Sequence, residues 1–213
     1  TAGERGGGGA VQAVWEKEHG LDYLQDAEDL SDEGNFDYYY NKLKKIKLIV
    51  SDIDGVMTDG RIIFDDNGVE SKFFNTLDGM GIVMALKSDI KIAIISGGKA
   101  NCVRERFDKF KAHNFEDLIL GEDYKMPSIL TLIKKYSLNK EELAYIGDDI
   151  IDLAPIKYAG VSFVPKNAIK EAKKLATITI NKKGGDGVVR EVIDMILKAK
   201  GLYNEVIKEI CKF

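Results

Sequence analysis

Four segments of the 213-residue chain carry residues whose types and spacing could do chemistry. In Ser51-Asp52-Ile53-Asp54-Gly55 two carboxylates stand two residues apart. Such a pair repels itself unless a cation is present, which suits a hard metal with oxygen ligands such as Mg²⁺; the other reading is an aspartate-rich turn. Ile95-Ser96-Gly97-Gly98-Lys99 offers a hydroxyl followed by glycine amides, which either hold an anion at a helix start or simply cap the helix. Lys125, just before Pro127 at the start of an expected helix, is either a solvated lysine or a cation placed near a site. Tyr145-Ile146-Gly147-Asp148-Asp149-Ile150-Ile151-Asp152 holds a second acidic cluster, which either caps the next helix or faces Asp52 across a cation site.

The elements around these segments decide between the readings. From Ile46 onward, short apolar runs alternate with longer amphipathic stretches, the signature of βα units around a mainly parallel sheet. We expect strands over 46–51, 91–95, 117–120, 143–146, 160–163 and 177–180, with helices over 79–87, 100–110, 127–136, 150–158, 168–175 and 188–198. Asp65-Asp66-Asn67-Gly68 separates the apolar-rich runs 61–64 and 69–74, and Asn-Gly in that setting signals a β-hairpin. The expected fold is α/β: a doubly wound, mainly parallel, Rossmann-like sheet with a projecting hairpin and no large cap domain. In such a sheet ligands lie outside the carboxyl ends of the strands. Asp52, Asp54, Ser96, Lys125 and Asp148 all fall there, in an order that assembles a nucleophile, phosphate ligands and a metal for phosphoryl transfer.

Composition sets outer limits. Against 35 Asp+Glu there are 31 Lys+Arg, a balance that gives no electrostatic case for non-specific nucleic-acid binding, which would need a basic face. Apolar stretches such as 92–95 are strand-length, far short of the ~18–20 residues that span a bilayer, and the first residues lack the layout of a signal peptide. Two cysteines, Cys102 and Cys211, are too few for a disulfide framework and fit a reducing compartment. A cytoplasmic protein with neither nucleic-acid nor membrane partners is expected. Residues 1–43 read differently from the rest, with a glycine run at 6–9, a possible helix over 10–19, an acidic stretch over 22–37 and a basic one approaching 46. We take 1–43 as an extension or linker of unassigned role, and because the chain opens on Thr1 a fragment of a longer, bifunctional protein is also open.

Asp52-x-Asp54, Ser96, Lys125 and Gly147-Asp148-Asp149-x-x-Asp152 together resemble the four motifs of the haloacid dehalogenase superfamily of phosphotransferases. The resemblance is closer to its capless acidic-sugar branch, typified by the 3-deoxy-D-manno-octulosonate 8-phosphate phosphatases. It spans about 46–201 and rests on the run from Asp54 to Arg61, the hairpin, Phe74-Asn75-Thr76-x-Asp78-Gly79, and Gly184-Gly185-Asp186-Gly187-Val188-Val189-Arg190-Glu191. It implies that 44–213 is a phosphatase domain hydrolysing an acidic 3-deoxy-sugar phosphate with Mg²⁺, and that the hairpins of four subunits build a homotetramer. Asp52 would be the nucleophile, Asp54 the acid and base, and Lys125 the cation that offsets the charge of the reacting groups. Asp52, the Asp54 carbonyl and Asp148 would hold Mg²⁺, while Ser96 and Gly97, with Lys125, would hold the phosphate. Asp149 and Asp152 would orient Lys125 and the metal ligands. Asn75, Thr76, Asp78, Arg106 and Arg190 are the candidates for the sugar, the arginines as bidentate partners for its carboxylate or as solvated helix faces. Gly98 stands where relatives often carry Arg or Glu against the sugar, so a nonulosonate (sialic-acid-type) 9-phosphate is an alternative substrate. A phosphoacceptor signalling or regulatory domain is the alternative from another class, although it would need neither Asp54 as acid and base nor the hairpin.

Overall fold

The computed structural model describes residues 33–212. The glycine run at 6–9, the expected helix over 10–19 and the acidic stretch as far as 32 lie outside the described residues. After α1 (Glu33–Lys45) comes β1 (Leu48–Ser51), followed by the hairpin strands β2 (Ile63–Phe64) and β3 (Glu70–Ser71). There follow α2 (Thr76–Lys87), β4 (Lys91–Ser96), α3 (Asn101–Asp108), β5 (Asp117–Leu120), α4 (Met126–Lys135) and β6 (Leu143–Ile146). The chain closes with α5 (Leu153–Tyr158), β7 (Val161–Pro165), α6 (Lys170–Leu175), β8 (Ile178–Ile180), α7 (Val188–Ala199) and α8 (Tyr203–Cys211).

Six strands form one parallel sheet in the order β5-β4-β1-β6-β7-β8, and β2 and β3 make a separate antiparallel ribbon. The chain runs outward from β1 through β4 to β5, then returns to β6 on the other side of β1 and runs outward again. The order therefore reverses beside β1, and the crevice at that reversal is where an open α/β sheet receives its ligand. Strand alternation splits the core in two. Ile49, Ile92 and Ile94 face the layer with α2, α3 and α7, whereas Leu48, Val50, Ala93 and Ile95 face the layer with α4 and α5. Between β1 and β4 the chain forms only the hairpin and α2, and among the described residues no large cap covers the sheet edge.

The expected strands and helices recur with boundary shifts of a few residues, and helix 150–158 begins as a 3-10 turn at Ile150–Asp152. Two helices were not expected. The first, α1, runs across residues 43 and 44, and its Leu43 joins the core that α7 also lines. Its tyrosine-rich sequence has modest helix propensity, so packing against α7 decides its state. The second, α8, follows Gly201 (φ +73°) and spaces Tyr203, Val206, Ile207 and Ile210 on one face.

Candidate active site

The end of β1 builds the first wall of the site. Asp52, at the carboxyl end of β1, is buried; its backbone N–H donates to the Ile146 carbonyl (2.9 Å), and its Oδ1 accepts the Ile53 N–H (2.7 Å). The chain then turns through Gly55 at φ +86°, a conformation that favours glycine. A Cβ on Gly55 would stand 2.0 Å from Asp148 Oδ2, so the missing side chain is what lets the end of β6 approach the end of β1.

Lys125 lies at the centre. Its ammonium is 2.9 Å from Asp52 Oδ2 and 2.7 Å from Asp152 Oδ1, and its side chain has no solvent exposure. Burial by itself would lower its pKa, but the two carboxylates outweigh that and hold it above the ordinary lysine value. Asp152 also accepts the Tyr145 hydroxyl and the backbone N–H groups of Asp148 and Asp149, at 2.9 and 3.2 Å. One buried carboxylate thus fixes the lysine and the loop carrying Asp148.

Oxygens of Asp52, Asp148 and Asp152 all lie within 4.8 Å of one another. Asp152 is already taken up by four donors, whereas Asp148 Oδ1 is buried with no hydrogen-bond partner among the described residues. Desolvation, then repulsion from Asp152, pushes Asp52 up to about 7 and Asp148 up to about 8. An oxygen-only donor set with an orphaned carboxylate oxygen and unrelieved negative charge fits a hard divalent cation such as Mg²⁺.

Opposite this cluster, Ser96 ends β4, and its Oγ accepts the Gly98 N–H (3.1 Å). A Cβ built on Gly98 would lie 3.5 Å from both Ser96 Oγ and Asp54 Oδ2, so these two oxygens border the same space. A cleft of about 630 Å³ opens nearby between the hairpin and the start of α3, lined by Phe64, Glu70, Ser71, Lys99, Asn101 and Glu105.

The structure brings Asp52, Asp54, Ser96, Gly97, Lys125, Asp148 and Asp152 to the same sheet edge. Asp149, expected to orient Lys125, instead caps the 3-10 turn through the Ile150 N–H (2.7 Å), and it is exposed. Of the sugar candidates, Thr76 is exposed on the first turn of α2, and the others are used in packing. Asn75 caps α2 through the Leu77 N–H and donates to the Gly185 carbonyl, both at 2.9 Å. Asp78 is buried, and its Oδ1 accepts the Arg190 N–H (2.8 Å), capping α7 because Gly187 at that helix start has no side chain to do so. Arg190 pairs with Asp194 at 2.8 and 2.9 Å. Arg106 lies over Phe110, 4.9 Å from the ring centroid, and crosses Gly79.

The sequence reading passed over one residue at the site, Lys72. It follows β3, and its ammonium is 2.6 Å from Asp54 Oδ1 and 2.6 Å from Glu70 Oε1. A lysine two residues after Glu70 and directly before Phe73-Phe74 in the second hairpin arm was the available signal.

Acid pair, hydroxyl, buried lysine and second acid cluster around the reversal of a parallel sheet define a hydrolase of haloacid dehalogenase type. Residues 99–192 match the family model of the haloacid dehalogenase-like hydrolases. The 3-deoxy-D-manno-octulosonate 8-phosphate phosphatase of Haemophilus influenzae is 37% identical over 160 residues, covering 75% of this chain and 87% of that protein. The crystal structure of the phosphatase of that name from Moraxella catarrhalis, in complex with magnesium ion, phosphate ion and KDO, is similar at 34% identity and a TM-score of 0.77, over 82% of this chain and 98% of that one. A hydrolase of the superfamily from Legionella pneumophila is similar with a TM-score of 0.80 and 32% identity, over 85% of this chain and 98% of that one. The chain belongs to the haloacid dehalogenase-like hydrolases, in the family of the 3-deoxy-D-manno-octulosonate 8-phosphate phosphatases.

Proposed function

We propose that this chain is a Mg²⁺-dependent phosphatase that hydrolyses 3-deoxy-D-manno-octulosonate 8-phosphate through an aspartyl-phosphate on Asp52. The observation that carries this reading is Lys125 buried between Asp52 and Asp152 beside the unpartnered Asp148 Oδ1. The family relationship supplies the substrate class. Residues 44–213 are the phosphatase domain in this reading, with the 33–45 helix attached to it and no role assigned to what precedes.

Asp52 and Asp148, with the Asp54 carbonyl, would hold Mg²⁺, which supplies charge neutralisation for the dianionic phosphate when bound. Lys125 favours the ionised form of Asp52 against the burial that raises it and holds the carboxylate aimed, and Ser96 with the Gly97 amide holds the phosphoryl oxygens. Asp52 attacks phosphorus; its new O–P bond forms as the bond from phosphorus to the sugar oxygen breaks. Asp54 gives its proton to the departing sugar oxygen and then takes one from the water that attacks phosphorus and releases phosphate. The cleft beside the hairpin receives the sugar.

Assembly into a homotetramer and a cytoplasmic location complete the proposal. Exposed Ile62, Phe64, Val69 and Phe73 on and beside the hairpin support the first, and unpaired Cys102 and Cys211 suit the second. Phosphate release with Mg²⁺ tests the function. The octulosonate 8-phosphate should exceed nonulosonate 9-phosphates and neutral hexose phosphates in kcat/KM, and Asp52→Asn should lose turnover while melting like the parent. Preference for a neutral hexose phosphate overturns the substrate, and an active Asp52→Asn overturns the mechanism.

A further inference from the structure

We propose that Lys72 is a positioning residue for Asp54: it anchors Asp54 Oδ1 so that Oδ2 is presented to the leaving-group oxygen. The proposal rests on reading Asp54 as the acid and base.

The two oxygens of Asp54 have different surroundings. Oδ1 is 2.6 Å from the Lys72 ammonium, and the Thr58 hydroxyl stands at 3.5 Å, the outer limit of a hydrogen bond. Oδ2 points the other way, toward the space over Gly98 that Ser96 Oγ also borders. Asp54 is partly exposed, and the terminal torsion of an aspartate is broad, so its own backbone does not fix which oxygen faces the phosphoryl group. An ammonium 2.6 Å from one oxygen does fix it.

Lys72 is itself well held. Its side chain is only 2% exposed, and Glu70, two residues earlier on β3, takes a second of its protons at 2.6 Å. Asp54 and Lys72 lie 18 positions apart, with the whole hairpin between them. The hairpin strands are two residues each, with mostly exposed side chains, so their ladder does little to seat the hairpin against the sheet edge. The Lys72 ion pair ties the two together. Alignment of the acid and base is thereby linked to docking of the hairpin that walls the 630 Å³ cleft. A hairpin that lifts away takes the anchor of Asp54 with it.

The leaving group provides the test. A sugar alkoxide must be protonated as it departs, whereas p-nitrophenolate leaves without help, so a misaligned acid slows only the first. In Lys72→Met, kcat for the octulosonate phosphate should fall about 10–100-fold with KM changed less than about threefold. Single-turnover release of p-nitrophenol from p-nitrophenyl phosphate should stay within about threefold of the parent. Lys72→Arg should recover part of the loss. Lys72→Gln, which keeps a donor without the charge, should show the same pattern more weakly, and it serves where the methionine variant does not fold. Equal losses on both substrates, or a change confined to KM, overturn the proposal, the latter by making Lys72 a substrate contact. Asp54→Asn separates the two levels of inference. If that variant shows no leaving-group dependence, the acid and base reading itself falls; if it does and the Lys72 variants do not, only the role of Lys72 falls.

Discussion

Asp152 Oδ1 lies 2.7 Å from the ammonium of Lys125, and neither side chain is exposed to solvent. The same carboxylate receives the Tyr145 hydroxyl and two backbone N–H groups of the Asp148 loop, so it joins the β5–α4 connection to the end of β6. A buried network of this kind is costly to break at one member, because the remaining charges lose their partners without regaining water.

Lys125→Met should therefore unfold more easily in denaturant by about 3–5 kcal/mol and lose nearly all phosphate release. The double variant Lys125→Met/Asp152→Asn should be less destabilised than the sum of the two single variants, since it no longer leaves the Asp152 charge unpaired, yet it should be equally inactive. Additive stability losses would show that the pair is not coupled.

Response to Mg²⁺ should depend on pH with a definite sign. Desolvation raises Asp52 to about 7 and Asp148 to about 8, so without metal their contribution to stability is fully present below about pH 4 and is lost as pH rises through 7 to 8. Mg²⁺ needs the ionised ligands, so its upward shift of Tm should be close to zero at pH 5 and largest near pH 8. Asp148→Asn should abolish that shift and raise the metal-free Tm at pH 8. A Mg²⁺ shift of the same size at both pH values would contradict the assignment.

Two glycines near the site should differ in how their stability responds to alanine. Gly55→Ala puts a methyl 2.0 Å from Asp148 Oδ2 on a backbone at φ +86°, so it should cost at least about 1 kcal/mol in strain and more than about tenfold in kcat by displacing Asp148. Gly98→Ala meets Asp54 Oδ2 and Ser96 Oγ at an ordinary 3.5 Å, so it should melt within about 0.5 kcal/mol of the parent, while its methyl enters the space those oxygens border and should lower kcat/KM about tenfold. Phosphate release by both variants, with urea melts, decides the matter.

The hairpin should govern self-association. Phe73 is 74% exposed and Phe64 61%, an apolar surface that a lone copy leaves in water. Phe64→Ser/Phe73→Ser should sediment as a smaller species than the parent, with the monomer fold intact by circular dichroism. An unchanged sedimentation coefficient would place the contact between copies elsewhere.

Much of the site was legible because its residues sit at strand ends, where a short apolar run stops and a polar residue necessarily enters the crevice. Asp52, Ser96 and Asp148 are of this kind. Lys125 was legible from its own surroundings only as a lysine near the right edge, its role and its link to Asp152 being implied by the family resemblance; nothing local says that it is fully buried between two carboxylates. Asp78 and Arg190 looked like ligands for a sugar, yet the N-terminus of α7 needs an acceptor that Gly187 lacks, and Asp78 provides it from 112 positions away. Tyr203, Val206, Ile207 and Ile210 had the spacing of α8, whereas α1 owes its state to packing that its sequence does not display.

The sequence by itself determined the order of the six sheet strands, the helices between them, the hairpin and the candidate reacting groups, because periodicity and turn chemistry are local properties. Tertiary structure decided pairings across the sheet edge: Lys125 with Asp152, Gly55 under Asp148, Asp78 at the start of α7 and Lys72 on Asp54. Each depends on how segments distant in the chain are brought within a few ångströms, and on the removal of water that makes those charges matter to one another.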